Sequence, residues 1–457
     1  MDNPAVTRPA AQELDADRDG QADNTDVPGK AINGSRKHVH NSKNDHGWRR
    51  IVRNFSPSWF SVTMGTGIVS NILIATPWKA DWLYYLSIIF FVLNVALFSA
   101  FFMISVARYT IWPEIWTVMI QDPVNSLFLG TIPMGFATII RMFTSVCVPA
   151  WGGWAVWFAF AMWIVDSVVA VAVTVSLGIL LMSASHQRSL DSITAAQLLP
   201  IAATIVAASI GSQLAGVIPD PQVALGTLLA SYVMWGMGVP MALSVLVIYY
   251  QRLALHKMPP REVIVSAFLP LGPLGLGGYT VLYLGKVANG LFPTTGTIDP
   301  MAGRIAYVLG FFISLIMWAY GLIWFALALA SIYKARPFPF NMGWWGFTFP
   351  LGVYSTSTIL LGQELPSLFF RVLGTIFGTS VILLWVFIFL RTAMGAWNGK
   401  LFNAPCLANL KEREPEARTL EDNGEMEKAA DLATESRDDH TLSVHRERKG
   451  FGGNSGG

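Results

Sequence analysis

The sequence predicts an all-α polytopic membrane protein with ten transmembrane helices paired as five helical hairpins. Long apolar blocks, an alternation of basic loops, and glycine and proline gathered in every second block all point to it. Of the 457 residues, 53% are hydrophobic and only 13% are Asp, Glu, Lys or Arg. That charged share is about half the share usual in a soluble domain. A bilayer core of roughly 30 Å needs about 20 apolar residues to cross it as a helix. Lipid offers no partner for backbone N–H and C=O groups, so such blocks must be helices or closed barrels. Segments of about ten residues alternating in polarity, the mark of a membrane barrel, do not occur.

Residues 1–50 are polar and rich in Asn, Asp, Lys and Gly, and are expected to form a disordered cytosolic tail. No apolar run follows a basic start there, so no cleavable secretory signal is expected. Residues 51–395 hold the spans. The first, about 57–76, opens at Pro57 and carries Gly65 and Gly67; the second, 82–106, has no glycine or proline in its body. The third, 124–148, carries Gly130, Pro133 and Gly135, whereas the fourth, 154–183, has Gly178 and is long enough to tilt or project. The fifth, 193–215, carries Pro200 and Gly211. The sixth, 222–250, breaks the alternation with Gly226, Gly236, Gly238 and Pro240. The seventh, 263–285, is the richest, from Pro270 to Gly278; the eighth, 303–330, is plainer. The ninth, 343–363, holds Gly346, Pro350 and Gly352, and the tenth, 367–391, is again mostly apolar. Residues 396–457 read as a mostly disordered cytosolic tail with a short helix near 425–433.

Proline removes a helix hydrogen bond and kinks the helix, and the freed carbonyl needs a polar partner or water. Kinked, glycine-rich odd spans therefore suit an inner ring, and straight apolar even spans suit its lipid-facing surround. Frequent small residues in membrane helices, which aid close packing, are the simpler account of the same pattern. Basic residues favour cytoplasmic loops. Arg108, Arg188, Arg252, Lys257, Arg261, Lys334 and Arg336 fall on one set of connections, and Lys79 and Lys286 on the other. Both termini are then expected in the cytosol, which an even number of spans requires.

The odd spans carry hydroxyls, and Ser61, Thr63, Thr66, Ser70, Thr131, Thr204 and Thr348 are candidates to line a hydrated path. Each can instead bond its own helix backbone. Charges inside the hydrocarbon are costly and hence functional candidates. Asp166 is the deepest acid by sequence and serves either coupling or structure, as does Glu364 near the outer face. Arg141, Lys286, Arg304 and Arg371 gather toward the outer side, where they would attract anions or reach lipid headgroups. No Cys/His spacing suggests a metal, and neither a cofactor motif nor a Walker motif is present. Cys147 lies in an apolar block and Cys406 in a polar tail, which argues against a disulfide framework. No basic patch interleaved with aromatics suggests nucleic acid. The Asn33 and Asn54 sequons would be unused on a cytosolic face. Passage through the membrane fits this inventory better than catalysis, so the chain is not read as an enzyme.

Two motifs go further. The first span is entered through FSPSWFSVTMGTGIVS and the ninth opens NMGWWGFTFPLGVYS. With the ten-span count and the Gly/Pro alternation, they resemble the tellurite-resistance/dicarboxylate transporter family over residues 51–395. That family includes plant slow anion channels, bacterial tellurite-resistance channels, fungal malate permeases and fungal sulfite efflux pumps. The first motif is most similar to the sulfite branch. The resemblance implies a quasi-fivefold bundle whose odd helices line a central pore, closed by a phenylalanine of the ninth helix. That role would fall on Phe349, with Phe347 as the near alternative. It also implies plasma-membrane export of sulfite or hydrogen sulfite driven by the membrane potential. Proton-coupled malate transport or a general anion channel is the other reading within the family. The expected partners are a small inorganic anion, the lipid bilayer and further copies of the chain, a trimer by resemblance or a dimer.

Overall fold

Every element of the computed structural model is helical among the described residues, which are 47–122, 124–182, 190, 193–256, 258–402, 404 and 407. Nine of the described helices are long and apolar enough to cross a membrane. They are α1 (Phe60–Ala75), α2 (Asp81–Ile111), α3 (Thr131–Met142), α4 (Gly153–Met182), α5 (Leu198–Ala215), α6 (Pro221–His256), α7 (Leu271–Thr295), α8 (Ala302–Ala335) and α10 (Leu368–Trp397), counting the turns that extend α1, α3, α5 and α7. The tenth, α9 (Thr348–Glu364), is long enough once its opening turn is counted in the same way, but it is less apolar than the other nine. It opens with a 3₁₀ turn over Met342–Phe347, where the sequence reading placed regular helix. Its run of Ser355, Thr356, Ser357 and Thr358 also lowers its hydropathy, yet each of these is buried. A helix that never meets lipid need not be apolar.

Burial separates the two classes. Between 72% and 94% of the most apolar stretch of α1, α3, α5 and α7 is buried, against 11% to 39% in the even helices. The even helices present Ile89, Val168, Val233, Ile316 and Leu383 outward, an apolar surface that suits lipid. Trp82 and Trp154 are exposed at the starts of α2 and α4, and Trp397 at the end of α10, as interfacial tryptophans are.

Each odd helix packs on the even helix that follows it, giving five hairpins. The odd helices also contact one another in the cyclic order α1, α3, α5, α7, α9 and back to α1, so the inner ring is closed. All five enter the bundle through a 3₁₀ turn: Pro57–Trp59, Ser126–Gly130, Ala195–Gln197, Ile264–Phe268 and Met342–Phe347. The repeated turn is the structural form of the proline and glycine at the start of each odd span. A proline within a helix's first turns leaves few backbone bonds unmade, since those N–H groups lack intrahelical partners anyway.

Backbone contact locks the α7–α8 hairpin. A Cβ on Gly285, Gly303 or Gly310 would come within 2.5 Å of a carbonyl oxygen of the facing helix, at Ala306, Ala288 and Val281 respectively. Glycine is required there for close approach, the small-residue packing of membrane helices. Four basic residues assigned to loops belong to helices instead: Arg108 to α2, Arg252 to α6, Lys286 to α7 and Lys334 to α8. Arg108 is fully buried in α2 and donates to the Phe55 carbonyl at 2.6 Å, and Arg252 is buried in α6. Arg188, Lys257, Cys406 and Asn33 lie outside the described residues, as do the tails apart from 396–402, 404, 407 and 47–50, the last of which belong to a short helix over Gly47–Arg53 rather than to the disordered tail expected there.

Candidate functional site: an axial path inside the helix ring

The N-terminal ends of the five inner helices surround a vestibule of about 450 Å³. Ser61 of α1, Phe128 ahead of α3, Thr194 ahead of α5, Val265 ahead of α7 and Gly346 ahead of α9 all line it. Helix N-termini carry partial positive charge from unpaired N–H groups, so five of them converging favour an anion. Lys400 and Glu262 are the charged residues at the mouth.

Inward, the vestibule gives way to a small cavity of about 10 Å³ lined by Met64, Met134, Leu199, Ala202, Gly272 and Phe349, among others. All five inner helices meet there, and Phe349 is the bulkiest side chain present. It is 4% exposed and precedes Pro350 in the first turn of α9. Phe347 lies elsewhere, edge-on to Phe268 at 4.9 Å and to Trp344 at 5.6 Å, within an aromatic cluster between the turns that open α7 and α9.

Most of the hydroxyls singled out in the sequence turn toward helix contacts. Thr66 accepts from Trp385 Nε1 of α10 at 3.0 Å, and Ser70 donates to the Ser87 carbonyl of α2 at 2.8 Å. Thr204 meets Thr174 of α4 at 2.6 Å. Thr63 bonds the Phe60 carbonyl, Thr131 that of Phe128, and Thr348 that of Trp345. Ser61 is the one of the seven that reaches the vestibule. A hydroxyl between two helices satisfies backbone carbonyls that hydrocarbon would leave unpaired, so residue type alone does not single out the path.

The charges divide similarly. Lys286 pairs with Glu364 at 2.7 Å, and Tyr307 donates to the second carboxylate oxygen at 2.6 Å. Arg371 donates to the Gly362 carbonyl at 3.1 Å, tying α10 to the end of α9. Arg304 is exposed. Arg141 is buried and its guanidinium rests against the Tyr279 ring. Asp166 is buried on α4, an outer helix, and neither carboxylate oxygen has a partner. Its neighbours one turn to either side, Trp163 and Ala170, contact α5 through the Ala207 carbonyl and Thr204.

Sequence reasoning passed over Met64 and Met134, which lack polarity, and Tyr279, which reads as one aromatic among many. Their spacing from the helix-opening prolines and glycines was the available signal.

The profile of the voltage-dependent anion channel family matches residues 54–393. The chain is 48% identical over 351 residues to the sulfite efflux pump of Arthroderma otae, covering 77% of this chain and 93% of that protein. The sulfite efflux pump of Candida albicans is 28% identical over 359 residues, 74% of this chain and 73% of that one. The malic acid transport protein of Schizosaccharomyces pombe is 24% identical over 343 residues, 73% of this chain and 77% of that one.

Proposed function

The chain belongs to the voltage-dependent anion channel family, and from that premise we propose that it exports sulfite or hydrogen sulfite from the cytosol across the plasma membrane, along the axis of its helix ring. The observation that carries the route is the vestibule that narrows onto Phe349 where the five inner helices meet. The choice of anion is supported by similarity to the Arthroderma pump over nearly that protein's whole length. The vestibule is taken as cytosolic, with both termini on its side. Arg261, Lys334 and Arg336 lie on that side of the helices, in keeping with the bias of basic residues toward the cytoplasm.

The driving force needs no nucleotide. One charge moving through 100 mV changes energy by about 2.3 kcal/mol, and a negative cell interior pushes an anion outward. Convergent helix N-termini compensate part of the hydration lost in the vestibule. Phe349 acts as the gate, because an apolar ring at a narrow point excludes water and with it the ion. The lipid-facing even helices leave room for assembly as a homo-oligomer. A trimer is proposed from the resemblance, and a dimer by native mass spectrometry would revise it.

Flux into and out of proteoliposomes, with sulfite, malate, nitrate and chloride at two pH values and a clamped potential, tests the reading. Potential-driven sulfite flux that survives collapse of the proton gradient is the expected result. Malate flux that requires a proton gradient would replace it with carboxylate transport. Asp166→Asn is expected to leave sulfite flux and its pH dependence unchanged, since the residue sits on an outer helix; a lost pH dependence would make it a coupling group. Lys286→Met is expected to change flux by less than about twofold, because an ion pair with a half-exposed lysine is weak. A larger loss, measured in the same vesicles, would place that lysine in the ion path.

A further inference from the structure

The constriction residues recur at one level of the ring, one from each inner helix: Met64, Met134, Ala202, Gly272 and Phe349. Two turns of α-helix take about 7.2 residues, so a side chain seven positions on faces nearly the same way, about 10 Å along the axis. Seven residues after these five stand Asn71, Arg141, Ser209, Tyr279 and Thr356. An apolar level is thus followed by a level polar at every position.

Neighbouring residues fix the facing. On α1, Gly67 packs toward α3, Ile68 toward Gly352 of α9, and Ser70 toward α2, which leaves Asn71 on the axial side. On α5, Gly211 faces Trp163 of α4 and Ser231 of α6, half a turn from Ser209. On α9, Ser355 bonds α10 and Thr358 accepts from Trp318 of α8, which turns Thr356 inward. The Arg141–Tyr279 contact is direct: Nη2 lies 3.5 Å from the hydroxyl, and the guanidinium carbon lies 5.1 Å from the ring centroid. Helices α3 and α7 are separated in the ring by α5, so side chains that bridge them meet across the axis.

Part of the level is also unsatisfied, although Thr356 donates to the Val353 carbonyl at 2.9 Å. Asn71 Oδ1 and Ser209 Oγ have no hydrogen-bond partner, although these residues are 2% and 1% exposed. Arg141 is 8% exposed and has no carboxylate within ion-pair distance among the described residues. Lys286, the other basic residue of the inner helices, is already paired with Glu364. A buried guanidinium without a counter-charge is costly, and buried polar atoms without partners are rare. Both costs fall when an anion sits among them. A π-turn over Phe143–Cys147 begins two residues after Arg141. Such turns interrupt α-helices most often at functional sites.

We propose that Asn71, Arg141, Ser209, Tyr279 and Thr356 form a binding collar for a small oxyanion, one stage beyond the Phe349 constriction, with Arg141 as its cation. The inference rests on the axial route proposed above and adds a second station to it. The hydrogen bond to Tyr279 is at the limit of useful length, so an arriving anion takes the guanidinium from the ring with little loss. The guanidinium, the Asn71 amide, which can present its N–H end by flipping, and the Ser209 and Tyr279 hydroxyls supply donors on several sides. A three-oxygen anion such as sulfite uses them together better than a monatomic halide does.

Two readouts on the purified full chain test the collar. The first is thermal stabilisation by sodium sulfite. Arg141→Gln is expected to weaken this saturable effect by about tenfold or more, as loss of charge-assisted hydrogen bonds does. Arg141→Lys, which keeps the charge without the fork, should retain part of it. The second is the reversal potential in a potassium chloride gradient, measured in the Phe349→Ala background with and without Arg141→Gln. Selectivity for chloride over potassium should fall with the arginine. Unchanged sulfite stabilisation together with unchanged selectivity in Arg141→Gln overturns the collar. Should that variant not fold, Ser209→Ala and Tyr279→Phe take its place, each expected to weaken sulfite stabilisation severalfold; no change in both overturns it equally. Wild-type vesicles that move no sulfite would refute the proposed substrate, while the chloride selectivity would still decide the collar.

Discussion

Phe349→Ala is expected to raise potential-driven anion flux in proteoliposomes by roughly tenfold or more, because it removes the ring from the apolar constriction. The cavity there is about 10 Å³, less than a hydrated ion requires, and Phe349 is the largest side chain lining it. Stability separates this account from the alternative, in which the ring only fills the core. A phenylalanine packed between helices costs about 3–5 kcal/mol when cut to alanine. A ring that plugs a water-accessible path costs less, since water replaces it from the vestibule. Raised flux with a small fall in melting temperature is the expected pair of results. Unchanged flux with a large fall would return Phe349 to the packing. Phe347→Ala should do the reverse, with little gain in flux and a clear loss of stability, since that ring contacts Phe268 and Trp344 away from the axis.

Gly310→Val is expected to lower the yield of folded protein sharply and to reduce its melting temperature. A Cβ at this position would meet the Val281 carbonyl oxygen at 2.5 Å, closer than non-bonded atoms approach. The obstacle is backbone of α7, which cannot swing aside as a side chain does. Overpacking in a closed core costs about 1–3 kcal/mol or more. Here it would also displace an inner helix that lines the axial path. Gly290→Ala is the control, on α7 of the same hairpin but with nothing within 4 Å of its Cβ position. Alanine is favoured over glycine in a helix by up to about 1 kcal/mol, so this variant should be neutral or slightly more stable. Equal effects of the two substitutions, measured by thermal unfolding in detergent, would remove close approach as the cause.

Much of the architecture is legible in the residues. Block length and polarity mark the membrane spans, because hydrocarbon thickness sets a length and unpaired backbone forbids anything but a helix. Glycine and proline mark the odd helices as inner, because crowding and kinks belong where neighbours pack closely. The least apolar helix, α9, was still recognisable by Gly346, Pro350 and Gly352, though its hydroxyl-rich second half gives it little apolar character. In the sequence Asp166 reads as the deepest acid and Arg141 as an outer-side cation that could reach the headgroups, whereas the structure buries both. Asp166 lies on an outer helix, whereas Arg141 reaches across the ring to Tyr279.

By itself, the sequence determined that this chain is a membrane bundle, which of its helices lie inside, and which residues are costly to bury. Those follow from one-dimensional quantities: length, polarity and the placement of helix breakers. Only the tertiary structure decided which side chains face the axis. A hydroxyl on α1 looks the same in the sequence whether it points to the vestibule, as Ser61 does, or to a tryptophan on α10, as Thr66 does. The choice depends on the rotation of each helix against two neighbours and its own hairpin partner. That rotation is set by contacts between residues far apart in the chain, such as Gly67 against Thr138 and Gly275 against Tyr354. No local pattern carries that information, because it exists only once the ring has closed.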